Sequence, residues 1–368
     1  MLFLLFLLLH DGSSFSENNY YPTFADAVLK KQNYDPLVSP YELTREIMNM
    51  TISLPLAILV SVEESKQTVT YIAVINVTWY DPRLRFDPEE MGYNWTLVPS
   101  ILLWIPPIEP FNTIELKFLD RETPSNQVTI HHSGMASLTM RGKYDTSCAC
   151  DVEAFPYDTQ YCSLNFVGLY SEEQAVLSAS TETQLLLGLP EWNMFASTGT
   201  LGYDTLDGKT FSMARLIFRL ERNPQFYIYF LIIPTVLVTF TCLSALLLPL
   251  GIEEGEKANI GLSGLLGLSF MLSIIVLQVP RSPKLPLLGK WLIIQMGYCV
   301  GALIWEMPFS YLRNWLGRRY NKTKKGREIL TSSLCIASAL LFVGSDLIAT
   351  GIMFSTAESP APAPEKII

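Results

Sequence analysis

The alternation of apolar and polar residues divides the chain into two unlike parts. Over residues 22–222, short stretches such as TVTYIAVINVTW and MARLIFRL alternate with a period of two and are separated by turn residues, including Asp207 and Gly208. Several strands at this spacing predict an extracellular-type all-β, immunoglobulin-like sandwich. One short amphipathic helix is predicted before the strands, from Phe24 to Lys31.

Four long apolar segments follow, at about 226–248, 258–279, 287–305 and 329–354. Each is long enough for a helix to cross a bilayer, so the pattern predicts a four-helix transmembrane bundle. Lysine and arginine collect between the third and fourth segments, which predicts a short cytosolic loop at 311–327. We therefore expect a β-sandwich domain at 17–223, a membrane domain at 224–357 and an extracellular tail at 358–368.

The first residues are typical of a secretory signal. An apolar run from Leu2 to Leu9 precedes small residues, and it is too short to span a membrane, so residues 1–16 are predicted to be a signal peptide. The next segment is then extracellular, where disulfides persist. Its three N-glycosylation sequons, at Asn49, Asn76 and Asn94, suit that location.

Composition supports the membrane class and excludes others. Of 368 residues, 49% are hydrophobic and 17% are charged, and the formal net charge is −9. A nucleic-acid partner is not expected, because binding phosphates requires a basic surface. No nucleophile motif or metal-ligand spacing occurs, so neither an enzyme, a cofactor nor a metal site is predicted.

The extracellular part contains the cysteine segment CACDVEAFPYDTQYC, in which thirteen residues separate Cys148 from Cys162. A disulfide across this interval would stabilise the fold by roughly 3 kcal/mol, whatever its role. Cys150 would share a strand face with Cys148 and could compete for Cys162.

The interior of this segment, Phe155-Pro156-Tyr157-Asp158, resembles the signature of the Cys-loop receptors, the pentameric ligand-gated ion channels. The four downstream apolar segments agree with it, as do Asn33 to Leu37, Trp79 to Asp81, Trp104 to Pro106 and Ile233-Pro234. Within that family, the pattern is similar to the nicotinic-receptor-like cation channels. The chain resembles a divergent, invertebrate-type subunit of that branch. The resemblance implies a Cys148–Cys162 disulfide and a homo- or heteropentamer of related subunits in the plasma membrane.

The second apolar segment carries a stripe at helical spacing, formed by Glu256, Asn259, Ser263, Leu266, Phe270 and Ser273. Polar side chains at membrane depth usually line a water path, although Asn259 and Ser263 could instead hold helices together. By resemblance the stripe is pore-lining. Glu256 would form a carboxylate ring that selects cations, and Leu266 would form the gate, with Phe270 as a second bulky ring above it.

The ligand site implied by the resemblance lies between subunits, in a cage of aromatic side chains. Candidate residues on this chain are Phe111, Leu169, Tyr170, Tyr203 and Phe211. Leu169 stands where the family has a central tryptophan, Val74 replaces an aromatic residue of the complementary face, and the adjacent cysteine pair of acetylcholine-binding subunits is missing. We therefore expect a small-molecule agonist other than acetylcholine, or a subunit that needs partners. The aromatic residues could equally be packing residues.

Opening requires the sandwich to act on the membrane helices. By resemblance, the contacts would involve Glu63, Glu64, Phe155, Pro156, Asp158, Arg222 and Pro280. The leading hypothesis is a subunit of a ligand-gated channel that passes monovalent cations. The alternative is a non-conducting accessory or heteromer-only subunit on the same fold, which the incomplete aromatic cage favours and the pore stripe disfavours.

Overall fold

The computed structural model describes residues 23–118, 127–180, 185–206, 209–244, 254–278, 284–320 and 324–357. The N-terminal part is a β-sandwich preceded by a helical segment at Ala25–Lys30, as predicted. Val28 of that segment is buried against the sandwich core. Short helices α1 (Pro40–Thr44) and α2 (Pro88–Met91) lie before and between the strands.

The described part of the sandwich contains twelve strands in two sheets. Their bounds are β1 Met48–Glu63, β2 Thr68–Tyr80, β3 Trp95–Pro99, β4 Ile108–Pro110, β5 Thr113–Phe118, β6 Gln127–His131, β7 Met135–Ser147, β8 Thr159–Ser171, β9 Ala175–Ser180, β10 Leu185–Leu187, β11 Trp192–Leu206 and β12 Lys209–Arg222. The eight-stranded sheet has the order β10-β1-β2-β7-β6-β3, with β5 paired to β7 and β9 to β1. The four-stranded sheet has the order β11-β12-β8-β4.

The period of two in the sequence places one face of each strand in the core. In β2, Ala73, Ile75 and Val77 are buried, while the intervening residues are half-buried on the outer face. Rings from the two sheets meet between them: Tyr71 of β2 lies 4.6 Å from Phe218 of β12, centre to centre. The core therefore sits between the sheets, as in other sandwiches.

The C-terminal part is helical. A first helix comprises α3 (Gln225–Tyr227), a π-helical turn at Ile228–Ile232 and α4 (Ile233–Ser244). It is followed by α5 (Glu254–Gln278), α6 (Leu287–Tyr320) and α7 (Lys324–Ala357). Within the residues that the structure describes, four helical stretches are long and apolar enough to cross a membrane: Gln225–Ser244, Ala258–Leu277, Leu287–Trp305 and Ser332–Ile352.

The helices extend beyond the predicted spans, and the predicted loop at 311–327 is mostly helical. Helix α6 continues to Tyr320 and α7 begins at Lys324, so only residues 321–323, which lie outside the described residues, separate them. Hydropathy marks the part of a helix that lies in lipid, whereas the backbone hydrogen bonds continue into water. Arg318 and Arg319 occupy the last turn of α6, where cations favour the helix dipole.

Candidate functional site

The cysteine loop joins the two sheets and reaches the membrane helices. Cys148, just after β7, is bonded to Cys162 in β8, so the disulfide links the two sheets. Cys150 is a free, buried thiol. The prediction that it lies on a strand was wrong, since β7 ends at Ser147. Burial, together with the carboxylates of Glu64 and Asp158, raises the pKa of the Cys150 thiol to about 12.

The tip of this loop packs into the top of the helix bundle. Val152 and Phe155 are buried against Tyr227, Leu231 and Leu288. Two main-chain bonds hold the loop to the start of α6: Leu287 N donates to Glu153 O over 2.8 Å, and Leu288 N donates to Phe155 O over 3.2 Å. The Phe155–Pro156 peptide bond is cis. The loop is thus attached to both the sandwich and the helices.

Arg222, the last residue of β12, lies at the centre of a buried polar cluster above the first membrane helix. Its side chain is 1% exposed, and its Nε donates to Asp158 Oδ1 over 2.7 Å. Its guanidinium also pairs with Glu64 of the β1–β2 turn and, at 2.5 Å, with Glu191. Burial alone would lower the pKa of Arg222, but Asp158 and Glu64 raise it more strongly, so the guanidinium stays charged.

Aromatic rings enclose the guanidinium of Arg222. Its central carbon lies 4.1 Å from the ring centre of Trp192, 4.8 Å from that of Phe155 and 5.6 Å from that of Tyr227. The Tyr227 hydroxyl also donates to Glu191 over 2.8 Å. The cluster therefore connects the β1–β2 turn, the cysteine loop, β11 and the first membrane helix through one side chain.

The structure brings together most of the predicted coupling residues and adds others. Glu64, Phe155, Asp158 and Arg222 meet, whereas Glu63 pairs with Lys66 at 2.6 Å, and Pro280 lies outside the described residues. Sequence reasoning missed Glu191, Trp192 and Tyr227. The acidic-aromatic pair Glu191-Trp192 at the beginning of a strand was the signal available for two of them.

A cavity of about 310 Å³ lies beside this cluster, between the sandwich and the end of α5. Its walls come from the β1–β2 turn, the cysteine loop and the upper ends of two helices, and are formed by Val62, Glu63, Glu64, Ser65, Val152, Phe155, Glu191, Tyr227 and Leu277. A second link crosses the same level, because Lys284 pairs with Glu153 at 2.9 Å and with Asp151 at 3.2 Å.

Helix α5 carries the predicted pore stripe on its exposed side. Side chains of Asn259, Ser263 and Ser273 are exposed, and those of Leu266 and Phe270 are 73% and 67% exposed. The structure describes Glu256 as part of the first turns of α5 but not its side chain. Because Asn259 and Ser263 face away from the other helices of this chain, they do not hold its own bundle together.

The opposite side of α5 is packed closely through glycine. A Cβ added to Gly261 would lie 2.4 Å from Leu303 Cδ2, and one added to Gly264 would lie 2.1 Å from Cys242 Sγ. Both distances are far shorter than van der Waals contact. At Gly267, by contrast, an added Cβ would meet nothing within 4 Å. Two glycines therefore let α5 approach its neighbours closely.

The predicted ligand residues lie on the four-stranded sheet or next to it. Phe111 follows β4 and is exposed, Leu169 of β8 is 49% exposed, and Phe211 of β12 pairs with Tyr203 of β11. The side chain of Tyr203 is not described. Tyr170 is half-buried with its ring 6.2 Å from that of Trp104, which favours a packing role for it.

The three sequons differ in position. Asn49 is exposed at the beginning of β1, and Asn94 is exposed in the turn before β3. Asn76 lies in the middle of β2 and is half-buried. The sequence motif alone did not distinguish these environments.

Comparison with known proteins agrees with this architecture. Residues 24–204 match the family model described as the neurotransmitter-gated ion-channel ligand binding domain. The chain belongs to the Cys-loop receptor family, whose members are receptors and not enzymes. It is a nicotinic-like subunit of that family, a multi-pass plasma-membrane protein whose sandwich is extracellular.

Similar curated relatives are neuronal acetylcholine receptor subunits. The beta-3 subunit of Rattus norvegicus is 30% identical over 287 residues, which are 76% of this chain and 61% of the relative. The alpha-5 subunit of Homo sapiens is 31% identical over 280 residues, 74% of this chain and 58% of the relative. The chain thus spans about three fifths of the length of these relatives. They are vertebrate proteins, so the invertebrate-type assignment stays a prediction.

Proposed function

We propose that this chain is one subunit of a pentameric ligand-gated channel that passes monovalent cations through a pore lined by α5. The carrying observation is the exposed stripe of α5, on which Asn259, Ser263, Leu266, Phe270 and Ser273 face away from the chain's own bundle. Polar side chains on the unpacked side of a membrane helix need water or another subunit. Related subunits and the lipid bilayer would supply the remaining partners.

Selectivity in this proposal rests on Glu256. It lies near the N-terminal end of α5, and five copies would form a ring of carboxylates at the inner mouth, which attracts cations and repels anions. At the other end of α5, Leu277 offers no charge. We therefore assign selectivity for monovalent cations to the inner ring of Glu256 carboxylates. Leu266 would form a constriction that closes by excluding water.

Gating in this proposal passes through Arg222. Binding of a small molecule would move the sandwich, and the Arg222 cluster would transmit the movement to the first membrane helix through Tyr227 and to α6 through the cysteine loop. The cavity beside the cluster leaves room for the β1–β2 turn to approach Leu277. Such a buried charged contact can have two discrete arrangements.

The proposed agonist is a small molecule, and it is not acetylcholine bound through a standard aromatic cage. Leu169, half-exposed at the position expected for a central tryptophan, offers an aliphatic surface, and Val74 does the same on β2. These two residues also favour the second candidate function, a subunit that does not conduct or bind agonist alone and works beside other subunits.

Expression of the full chain with Leu266→Ser tests the proposal without knowledge of the agonist. Serine would hydrate the constriction, so we expect a standing cation current. The control is Ile260→Ser, because Ile260 is also exposed but lies about 120° away around the helix. It should leave the channel closed. Surface expression of Leu266→Ser without current would refute conduction by the chain alone and favour the accessory role.

Ion substitution tests the selectivity. The reversal potential of the Leu266→Ser current should follow sodium and should be insensitive to chloride. Adding Glu256→Gln should weaken the preference for cations, since the amide has a similar shape but no charge. A reversal potential that follows chloride would refute cation selectivity.

A further inference from the structure

Asn76 is a glycosylation sequon in an unusual place, at the centre of the eight-stranded sheet. It pairs with Ser53 of β1 on one side and with Thr139 of β7 on the other. Sequons that carry glycans usually lie in surface loops, because the oligosaccharide is bulky. A glycan on Asn76 would instead stand on the flat face of a sheet.

The side chain of Asn76 is part of a group of small polar side chains. Its Oδ1 accepts hydrogen bonds from Ser137 Oγ over 2.7 Å and from Thr139 Oγ1 over 3.3 Å. These bonds use the amide oxygen, and the nitrogen that would carry a glycan has no part in them. Residues directly opposite each other in a ladder share a face, which groups six residues here into what we call the hydroxyl patch. The hydroxyl patch comprises Thr51, Ser53, Asn76, Thr78, Ser137 and Thr139.

The hydroxyl patch differs in charge from the outer face of the other sheet. Its six members are uncharged, with Arg141 at its border, whereas the outer face of β12 carries Arg215, Arg219 and Glu221. Depletion of charge is characteristic of surfaces that a protein partner covers. Each subunit of a closed ring must offer two interface surfaces, one to each neighbour. The hydroxyl patch, which lies next to Val74, fits one of them.

We propose that a neighbouring subunit covers the hydroxyl patch, and that glycosylation of Asn76 therefore excludes a chain from the assembled pentamer. This inference rests on the proposed function and extends it to the regulation of assembly. A bare Asn76 leaves the face flat, whereas a glycosylated one places a hydrated oligosaccharide where the partner must pack. The sequon thus separates newly made chains into those that can assemble and those that cannot.

The modification itself needs no folded site. In the transfer, Asn76 Nδ2 forms a bond to C1 of an oligosaccharide, the bond from C1 to the lipid diphosphate carrier breaks, and the amide loses one proton. The donor is a lipid-diphosphate-linked oligosaccharide of the secretory pathway. The transfer takes place while the polypeptide chain is still extended. Folding of β2 between β1 and β7 then removes Asn76 from further modification, so a chain keeps the state it had before folding.

Occupancy measured separately in assembled and unassembled protein tests the inference. The full chain is expressed in cells, solubilised, and separated by size into pentamer and smaller species. Each fraction is deglycosylated in heavy-oxygen water and the sequon peptides are quantified by mass spectrometry. We expect Asn94 glycans in both fractions, and Asn76 glycans in the smaller species but not in the pentamer. Asn49 is less informative, because it lies on the same face as Thr51.

A matched pair of variants separates the glycan from the side chain. Thr78→Val destroys the sequon but keeps Asn76 and the branched shape of residue 78, whereas Thr78→Ser keeps the sequon. We expect the pentamer fraction to rise with Thr78→Val, and to rise with Thr78→Ser only as far as that variant lowers the occupancy of Asn76.

The outcomes distinguish this inference from the function on which it rests. Pentamers that carry the Asn76 glycan as often as the Asn94 glycan would overturn the inference alone, as would an Asn76 that is bare in every fraction. The absence of pentamer-sized species for all variants, also after coexpression with a related subunit, would overturn the proposed function and this inference with it.

Discussion

Trp192 and Arg222 lie opposite each other in the ladder between β11 and β12, with the guanidinium carbon 4.1 Å from the ring centre. The indole covers one side of a charge whose hydrogen-bonding edge is occupied by Asp158, Glu191 and Glu64. Burial of such a charge is tolerable because the Asp158 carboxylate is buried with it, and Glu64 and the half-exposed Glu191 add two further carboxylates. The pair therefore fixes where the sandwich ends and the first membrane helix begins.

Removal of the Arg222 charge should destabilise the protein strongly. Arg222→Gln leaves the buried carboxylate of Asp158 without its cation, which typically costs about 3–5 kcal/mol. We expect a lower melting temperature of the solubilised protein and less protein at the cell surface. Arg219→Gln is the control, since Arg219 is half-exposed, pairs with Glu221, and should cost less than about 1 kcal/mol. Equal melting temperatures for the two variants would contradict the central role of Arg222.

The second link between sandwich and helices should be electrostatic and reversible. Lys284→Glu places like charges beside Glu153 and Asp151, and we expect a smaller standing current in the Leu266→Ser background. Glu153→Lys added to Lys284→Glu restores opposite charges and should restore part of the current. The coupling energy of the exposed pair should be about 0.2–1 kcal/mol and should fall as salt is raised. A double variant no better than Lys284→Glu would show that the ion pair has no role.

Two glycines of α5 should respond differently to the same substitution. Gly264→Ala introduces a Cβ that collides with Cys242 Sγ, and overpacking of this kind costs about 1–3 kcal/mol. Gly267→Ala meets nothing and should stabilise the helix by up to about 1 kcal/mol. Melting temperature and surface expression of the two variants provide the comparison. A similar loss in both would show that contact with Cys242 is not the cause, since helix propensity favours alanine at both positions.

The buried thiol Cys150 should make stability fall at alkaline pH. Its pKa is raised to about 12 in the folded protein, from an ordinary value of 9.0. The unfolded chain therefore loses this proton first, and the contribution of the group to stability is full below pH 9 and is lost as the pH rises toward 12. Between pH 7.5 and 10, the melting temperature of the wild-type protein should fall by more than that of Cys150→Ala. Equal losses would contradict the assigned burial of this thiol.

Local pattern was sufficient for the sandwich and the four helices. The family resemblance supplied most of the coupling cluster, but not its complete membership. A two-residue turn at Asp207 and Gly208 would place Trp192 opposite residue 223. A register shift between Asp204 and Leu206 moves Trp192 by one position, onto Arg222. Because a β-bulge depends on packing around the strand rather than on a fixed motif, the sequence did not predict it.

The ends of the helices show a second limit of sequence reasoning. Hydropathy predicted the third span to end at Trp305, but α6 continues for about four turns to Tyr320. The change at Trp305 is in the composition of the sequence and not in the helical backbone. Similarly, the period of two placed Asn76 on a predicted strand, and only the strand pairing revealed that this strand lies between β1 and β7.

The close approach at Gly261 and Gly264 gives α5 two sides that tolerate substitution to different extents. On the packed side, even one methyl group has no room, so the residues that fix the position of the helix cannot vary independently of Leu303 and Cys242. On the exposed side, side chains can change without disturbing that fit. Substitutions in the proposed pore stripe can therefore change the proposed pore without moving the helix that carries it.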